Sequence, residues 1–191
     1  MKLQRILPFS HTLMEKAATT GDIVVDGTVG NGNDTVFLAN LVGPTGKVFG
    51  FDIQKEAIER TTERLQRENL QNNVELFQTG HENIKQCIPE EFYGKVKGAI
   101  FNLGYLPKGD HNIITKPDTT IEALEQLLEI MAVEGIIVFV VYHGHPGGDV
   151  EKKALLDYVK NIDQQRAHVL CYKFLNQKNN PPFIIAVEKR S

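Results

Sequence analysis

Tryptophan is absent from the 191 residues, and cysteine occurs only at Cys87 and Cys171. Two thiols so far apart, with no C-x-x-C pair, give no disulfide framework and are expected to stay reduced in a cytoplasmic protein. Long apolar runs are missing too. The longest, Ile136 to Val141 followed by Tyr142, falls far short of the roughly 18–20 residues that span a bilayer, so no membrane partner is expected. The opening stretch MKLQRILPFSHTLMEK sets Pro8, His11 and Glu15 where a signal peptide needs unbroken apolar residues. Neither sign of charge dominates: 21 Lys plus Arg against 24 Asp plus Glu leave a net charge of −3. That balance excludes a polybasic nucleic-acid coat protein but not an enzyme with a local basic patch. There is no internal repeat, low-complexity segment or long linker. With 41% hydrophobic and 24% charged residues, residues 1–191 read as one globular domain.

What is present is an alternation of Val/Ile/Phe-rich runs with helical periodicity. Strands are expected at Asp22–Asp26, Lys47–Asp52, Val74–Gln78, Val96–Asn102, Gly135–Tyr142, His168–Phe174 and Phe183–Glu188. Ala57, Ile58, Thr61 and Leu65 share a helical face, as do Ile121, Leu124, Leu127, Leu128 and Met131. Ala154, Leu155, Tyr158, Val159 and Ile162 form a third such face, and a further helix is expected around Thr12–Thr19. The β-α-β-α order implies an α/β fold, a Rossmann-like, mostly parallel sheet of seven strands with helices on both faces. The linker LNQKNNPP between the last two strands cannot form a crossover helix. Those strands should therefore close the sheet as an antiparallel hairpin.

The strongest chemical signal is Val24-Val25-Asp26-Gly27-Thr28-Val29-Gly30-Asn31-Gly32-Asn33-Asp34-Thr35, a buried strand entering a glycine turn and then a helix. In open α/β sheets ligands sit beyond the carboxyl ends of the strands. Gly30 and Gly32 allow close backbone approach, and Asp26 offers an acceptor to a cationic group. Asp52 closes the next strand, where a carboxylate suits the paired hydroxyls of a ribose. A dinucleotide fingerprint would place a third glycine where Thr35 stands. Asp34, at the start of the helix, would repel a pyrophosphate yet tolerate an ammonium or sulfonium. These residues point to S-adenosylmethionine rather than NAD.

Asp26 to Thr35 resembles the first motif of class I methyltransferases, D/E-x-G-x-G-x-G, with Thr28 in place of the first inner glycine. The variant D-x-T-x-G-N-G-x-D-T is similar to that of a bacterial family named for rRNA methylases. The likeness continues through FDIQ (Phe51–Gln54), GHEN (Gly80–Asn83), FNLGYLPKGDH (Phe101–His111), YHGHPGG (Tyr142–Gly148) and NNPPF (Asn179–Phe183). Within the family it resembles the MnmM (YtqB-like) tRNA methyltransferases, which act on the amine of 5-aminomethyl-2-thiouridine at wobble position 34. The resemblance implies a homodimer that uses S-adenosylmethionine and contacts the anticodon region of tRNA. It implies a cofactor site drawn from Asp26, Gly27, Thr28, Gly30, Asn31, Gly32, Asn33, Asp34 and Thr35, from Asp52, Ile53 and Gln54, from Gly80, His81 and Glu82, and from Asn102. In this site Asn31 and Asn33 would line the methionine end, Asp52 would hold the ribose, and Gln54, Gly80 and His81 would lie near the adenine.

Phe101-Asn102-Leu103-Gly104-Tyr105-Leu106-Pro107 resembles a diverged N/D-P-P-Y motif of amino-group methyltransferases. There the asparagine oxygen and a following backbone carbonyl accept hydrogen bonds from the target nitrogen and aim its lone pair. Asn102, Leu103 and Tyr105 are therefore the expected catalytic residues. Tyr105, Tyr142, His143, His145, Pro146 and Gly147 are the expected substrate contacts. His143 and His145 lack a third ligand at convincing spacing, so no metal site is expected. Lys108, Lys116, Lys152, Lys153, Lys173 and Lys178 could supply a phosphate-binding rim. Other readings are a methyltransferase for rRNA or a small-molecule amine, a non-catalytic module that binds S-adenosylmethionine, and an NAD oxidoreductase.

Overall fold

The computed structural model of the protein describes residues 2–104, 115–144 and 147–191. Seven strands form one sheet: β1 (Ile23–Asp26), β2 (Lys47–Phe51), β3 (Val74–Phe77), β4 (Val96–Leu103), β5 (Met131–Val141), β6 (Ala167–Tyr172) and β7 (Phe183–Lys189). Their order is β3-β2-β1-β4-β5-β7-β6. The first five run parallel, and β7 pairs antiparallel with both β5 and β6. The expected closing hairpin is there, with its second strand inserted between β5 and β6. The helices are α1 (Ile6–Ala17), α2 (Asn33–Val42), α3 (Lys55–Arg67), α4 (Ile84–Cys87), α5 (Pro117–Ile130) and α6 (Gly148–Lys160). No helix of the described residues is long and apolar enough to cross a membrane.

The central strands are apolar on both sides because both sides are covered. Val25, Phe101, Phe139 and Ile185 point into one core with Leu124, Leu127 and Leu155 of α5 and α6. Their sequence neighbours Val24, Ile100, Val138 and Ile184 point into the other, against Met14 of α1 and Leu38 of α2. This is the two-fold alternation of a doubly covered sheet.

Three elements differ from the expectation by more than one residue at an end. The first helix begins at Ile6 rather than near Thr12 and ends at Ala17. Pro8 lies within its first turn, where the missing N–H has no intrahelical partner to lose. β5 starts at Met131, not Gly135, and carries a register shift opposite Val96–Gly98 with Glu134 at φ 65°. β6 ends at Tyr172, two residues before the expected end at Phe174.

Chain order places the site. From β1 the chain steps outward through β2 to β3, then returns to β4 on the other side of β1. The carboxyl ends of β1 and β4 thus flank the point where strand order reverses, the place where open α/β sheets bind ligands.

Candidate active site

A cleft of about 840 Å3 opens at that point, within the size range of small-molecule sites. Its floor is the glycine turn after β1. Gly30 and Gly32 hold φ of 53° and 74°, left-handed angles that side chains disfavour. At Gly27 an added Cβ would lie 2.0 Å from the Phe101 ring. Asp52, at the end of β2, holds the turn. Its Oδ2 accepts the Gly30 N–H at 2.8 Å and its Oδ1 the Gln54 N–H at 2.9 Å. Burial raises its pKa above the usual carboxylate range, and these two hydrogen bonds oppose the rise.

Of the sequence-selected cofactor residues, Gly27, Thr28, Gly30, Asn31, Asn33, Asp34, Asp52, Ile53, Gln54, Gly80, His81, Glu82 and Asn102 all line the cleft. Asp26, Gly32 and Thr35 do not. Asp26 was expected to meet a cationic ligand group, but it is fully buried. Its carboxylate accepts the Thr35 hydroxyl at 2.6 Å and the Thr28 N–H at 3.1 Å. It braces the loop from behind, because β1 is the middle of the sheet and α2 closes over it. Asn31 and Asn33 border the cleft with their side-chain oxygens turned to α3, where they accept from Arg60 at 3.0 Å and Arg64 at 2.6 Å.

His81 is buried at 7% exposure, edge-on to Phe101. Its Nδ1 lies 3.1 Å from the Gly27 carbonyl. A carbonyl only accepts, so Nδ1 carries the proton and Nε2 the lone pair. Burial lowers the pKa of this ring and keeps it neutral. Nε2 has no partner among the described residues. A buried acceptor on a cleft wall asks for a ligand N–H.

The tip of β4 carries the second half of the site. The Asn102 N–H donates to Thr28 Oγ1 at 2.6 Å, and its Nδ2 donates to Asp34 Oδ2 at 2.6 Å. With the amide nitrogen committed to a carboxylate, the amide oxygen is the atom left to accept. Leu103 is buried away from the cleft, and its carbonyl receives the Tyr142 N–H at 3.0 Å. The expectation that the Leu103 carbonyl meets the target nitrogen therefore does not match its setting, since strand pairing turns it toward β5. Gly104 donates to Thr115 Oγ1 at 2.9 Å, and Thr115 and Thr120 both donate to Glu151 of α6, which is 2% exposed. This buried carboxylate fixes both the exit of β4 and the entry to α5.

Tyr142 and His143 line the cleft beyond β5. The pKa of Tyr142 is raised by burial and then by the charge of Asp34. His143 packs edge-on to Phe183, with Lys152 Nζ 3.5 Å from its Nδ1. Burial and then Lys152 lower its pKa. Gly147 is away from the cleft and forms the left-handed cap of α6 at φ 85°. Tyr105, His145, Pro146 and Lys108 lie outside the described residues. Of the expected basic rim, Lys116 lines the cleft and Lys173 stands over the Phe183 ring at 5.7 Å.

A family sequence profile described as “Putative rRNA methylase” matches residues 48–188. The chain belongs to this family. The family connection extends over nearly the whole chain. A plant relative from Arabidopsis thaliana, described as a chloroplastic tRNA (mnm5s2U34)-methyltransferase, is 36% identical over 95% of this chain and 68% of its own. The crystal structure of a Clostridium thermocellum protein described as “putative rRNA-methylase” is 45% identical over 99% of this chain and all of its own, with a TM-score of 0.94. That of a Streptococcus mutans protein described as “a putative methyltransferase”, solved in complex with S-adenosylhomocysteine, is 40% identical over 98% of this chain and 99% of its own, with a TM-score of 0.88. Like these relatives, the chain has the Rossmann-like sheet of S-adenosylmethionine-dependent methyltransferases, and it is an enzyme of that kind.

Several cleft residues carried no functional reading in the sequence, among them the histidine of α1. His11 of α1 lines the cleft with Leu7, and its Nε2 lies 2.6 Å from Asp34 Oδ1. The available signal was Leu7 and His11 one helical turn apart, a histidine and an exposed apolar residue sharing one side of a helix that buries Ser10, Leu13 and Met14.

Proposed function

We propose that the enzyme is a tRNA methyltransferase that converts 5-aminomethyl-2-thiouridine at wobble position 34 to 5-methylaminomethyl-2-thiouridine. The observation that carries the reading is Asn102. Its amide nitrogen is fixed by Asp34, so its Oδ1 is set as an acceptor at the mouth of a cleft suited to an adenosine. The relative named for that tRNA modification, 36% identical over 95% of this chain, supports the choice of substrate.

The residues fit S-adenosylmethionine. The unpartnered Nε2 of His81 can accept an N–H of the adenine. Each Asp52 oxygen takes one backbone donor and keeps a lone pair for a ribose hydroxyl. Acidic Asp34 and Asp52 on the walls suit a cationic sulfur and disfavour a pyrophosphate. The bound cofactor supplies a methyl group on a sulfonium, open to direct displacement.

The chain then has to orient and deprotonate an amine. An aliphatic amine attacks only as the neutral base, and Asn102 Oδ1 can accept one of its remaining hydrogens and aim the lone pair. Enclosure beside a positive sulfur favours loss of the ammonium proton, because like charges disfavour each other. Transfer is direct, aided by positioning and electrostatics, with no covalent enzyme intermediate.

The reading includes one domain over residues 1–191, recognition of the anticodon region, a homodimer, and work in the cytoplasm. Cys87 and Cys171, both free thiols, support a reducing compartment. The sheet-edge strand β6 exposes Val169 and Leu170, a surface that a second copy would cover.

The test is nucleoside mass analysis of tRNA carrying the aminomethyl group, after incubation with enzyme and S-adenosylmethionine. A gain of one methyl on that nucleoside is expected. Methylation of rRNA alone, or of a free amine alone, would replace the reading.

A further inference from the structure

The reaction must dispose of a proton, and the cleft contains an acceptor that the sequence did not show. Asp34 receives Asn102 Nδ2 on Oδ2 and lies against His11 Nε2 on Oδ1, both at 2.6 Å. One carboxylate thus joins the asparagine that would aim the amine to an imidazole on the same cleft wall. His11 comes from α1, and its ring is stacked flat on Phe37 with centroids 3.9 Å apart. Its side chain is 33% exposed against 12% for Asp34, so the ring can exchange a proton with solvent while its partner is largely covered.

We propose that His11, oriented by Asp34, takes the proton from the substrate ammonium. This rests on the amine-methylation reading given above. A carboxylate accepts, so Nε2 of the neutral ring carries the hydrogen facing Asp34, and Nδ1 holds the lone pair. Nδ1 has no hydrogen-bond partner among the described residues. The ammonium gives one proton to Nδ1, directly or through one water. The freed electron pair forms the N–CH3 bond as the S–CH3 bond breaks, and that bond's electrons stay on sulfur. The product is a secondary ammonium and a neutral thioether, and the proton on His11 passes to solvent. Among the described residues, the other titratable groups in electrostatic contact with Asp34 are Asp26 and Tyr142. Neither is placed to replace the ring: Asp26 is sealed behind the loop, and the phenol of Tyr142 is held protonated by a raised pKa.

His11→Gln separates the base from the scaffold, because a glutamine amide can still donate to Asp34 but takes no proton near neutral pH. Single-turnover methylation of aminomethyl tRNA is measured from pH 6 to 9 for the wild type, His11→Gln and His11→Ala, with cofactor affinity measured by calorimetry. Expected for His11→Gln is a rate near neutral pH lower by about 100-fold, the low end for general-base removal, with a cofactor Kd within about threefold of wild type. Its rate should climb with pH as solvent removes the proton, and added imidazole should restore part of the rate of His11→Ala. A His11→Gln enzyme with wild-type rate and pH profile overturns the proposal while leaving the function standing. So does a loss that neither high pH nor imidazole relieves. Wild-type enzyme that leaves the aminomethyl nucleoside unmethylated overturns the function and, with it, the proposal.

Discussion

Thr28 and Asn102, 74 residues apart, are joined by a 2.6 Å hydrogen bond from the Asn102 backbone N–H to the Thr28 hydroxyl. The residue that interrupts the glycine pattern of the cofactor turn is the one that ties this turn to the tip of β4. A glycine at 28 would leave that N–H without its partner. Thr28→Val keeps the shape and removes the acceptor, leaving a partly buried donor unpaired at a cost of about 1–3 kcal/mol. Urea unfolding should show that loss, and kcat should fall about tenfold while Thr28→Ser stays near wild type. Equal kcat in the valine and serine variants would mean the bond does not position Asn102.

Asp52 has two tasks in one carboxylate, holding the glycine turn from inside and meeting the ribose from outside. Asp52→Ala should weaken S-adenosylmethionine binding by about 10- to 100-fold, the range expected when a charge-assisted pair of hydrogen bonds is lost. Calorimetry reads the effect directly. An unchanged dissociation constant would remove Asp52 from the ribose site.

Asn102 should separate binding from chemistry. Asn102→Ala removes the Oδ1 acceptor and also leaves Asp34 without one donor. Turnover is expected to fall by about 100-fold or more, as for a lost positioning group, with cofactor affinity within about threefold. Steady-state kinetics beside calorimetry make the comparison, and normal turnover would exclude Asn102 from the mechanism.

The half of the site closest to a regular pattern was the most legible. The apolar strand entering Gly30 and Gly32, and the carboxylate at the end of the next strand, are local signals whose meaning depends only on parallel-sheet geometry. The antiparallel closure was legible for the same kind of reason, since LNQKNNPP cannot make a crossover. Met131 misled because it continues the helical spacing of Ile121, Leu124, Leu127 and Leu128, while in the fold it opens β5. Asp26 misled in another way. Its burial depends on α2 closing over β1, which no local pattern reports, so a carboxylate at a strand end looked like a ligand group. His11 meets Asp34 across 23 residues of chain, and such a pairing becomes visible only when α1 is docked on the sheet.

The buried Asp26 has a consequence for stability. Removal from water, and then the nearby charge of Asp34, raise its pKa from 3.8 to about 7. Between those values the folded chain keeps a proton that the unfolded chain has released, so the folded state binds more protons there. Stability from this group is therefore greatest below about pH 4, falls as pH rises toward 7, and is level above that. An asparagine in its place would resemble the neutral acid at every pH, its oxygen still open to the Thr28 N–H and its amide to the Thr35 hydroxyl. Asp26→Asn should accordingly lose this slope. Relative to the variant, the wild type should lose about 2–3 kcal/mol between pH 5 and pH 8, read from urea unfolding at both values. Parallel stability curves for the two proteins would show that Asp26 is ionised throughout that range in the folded state.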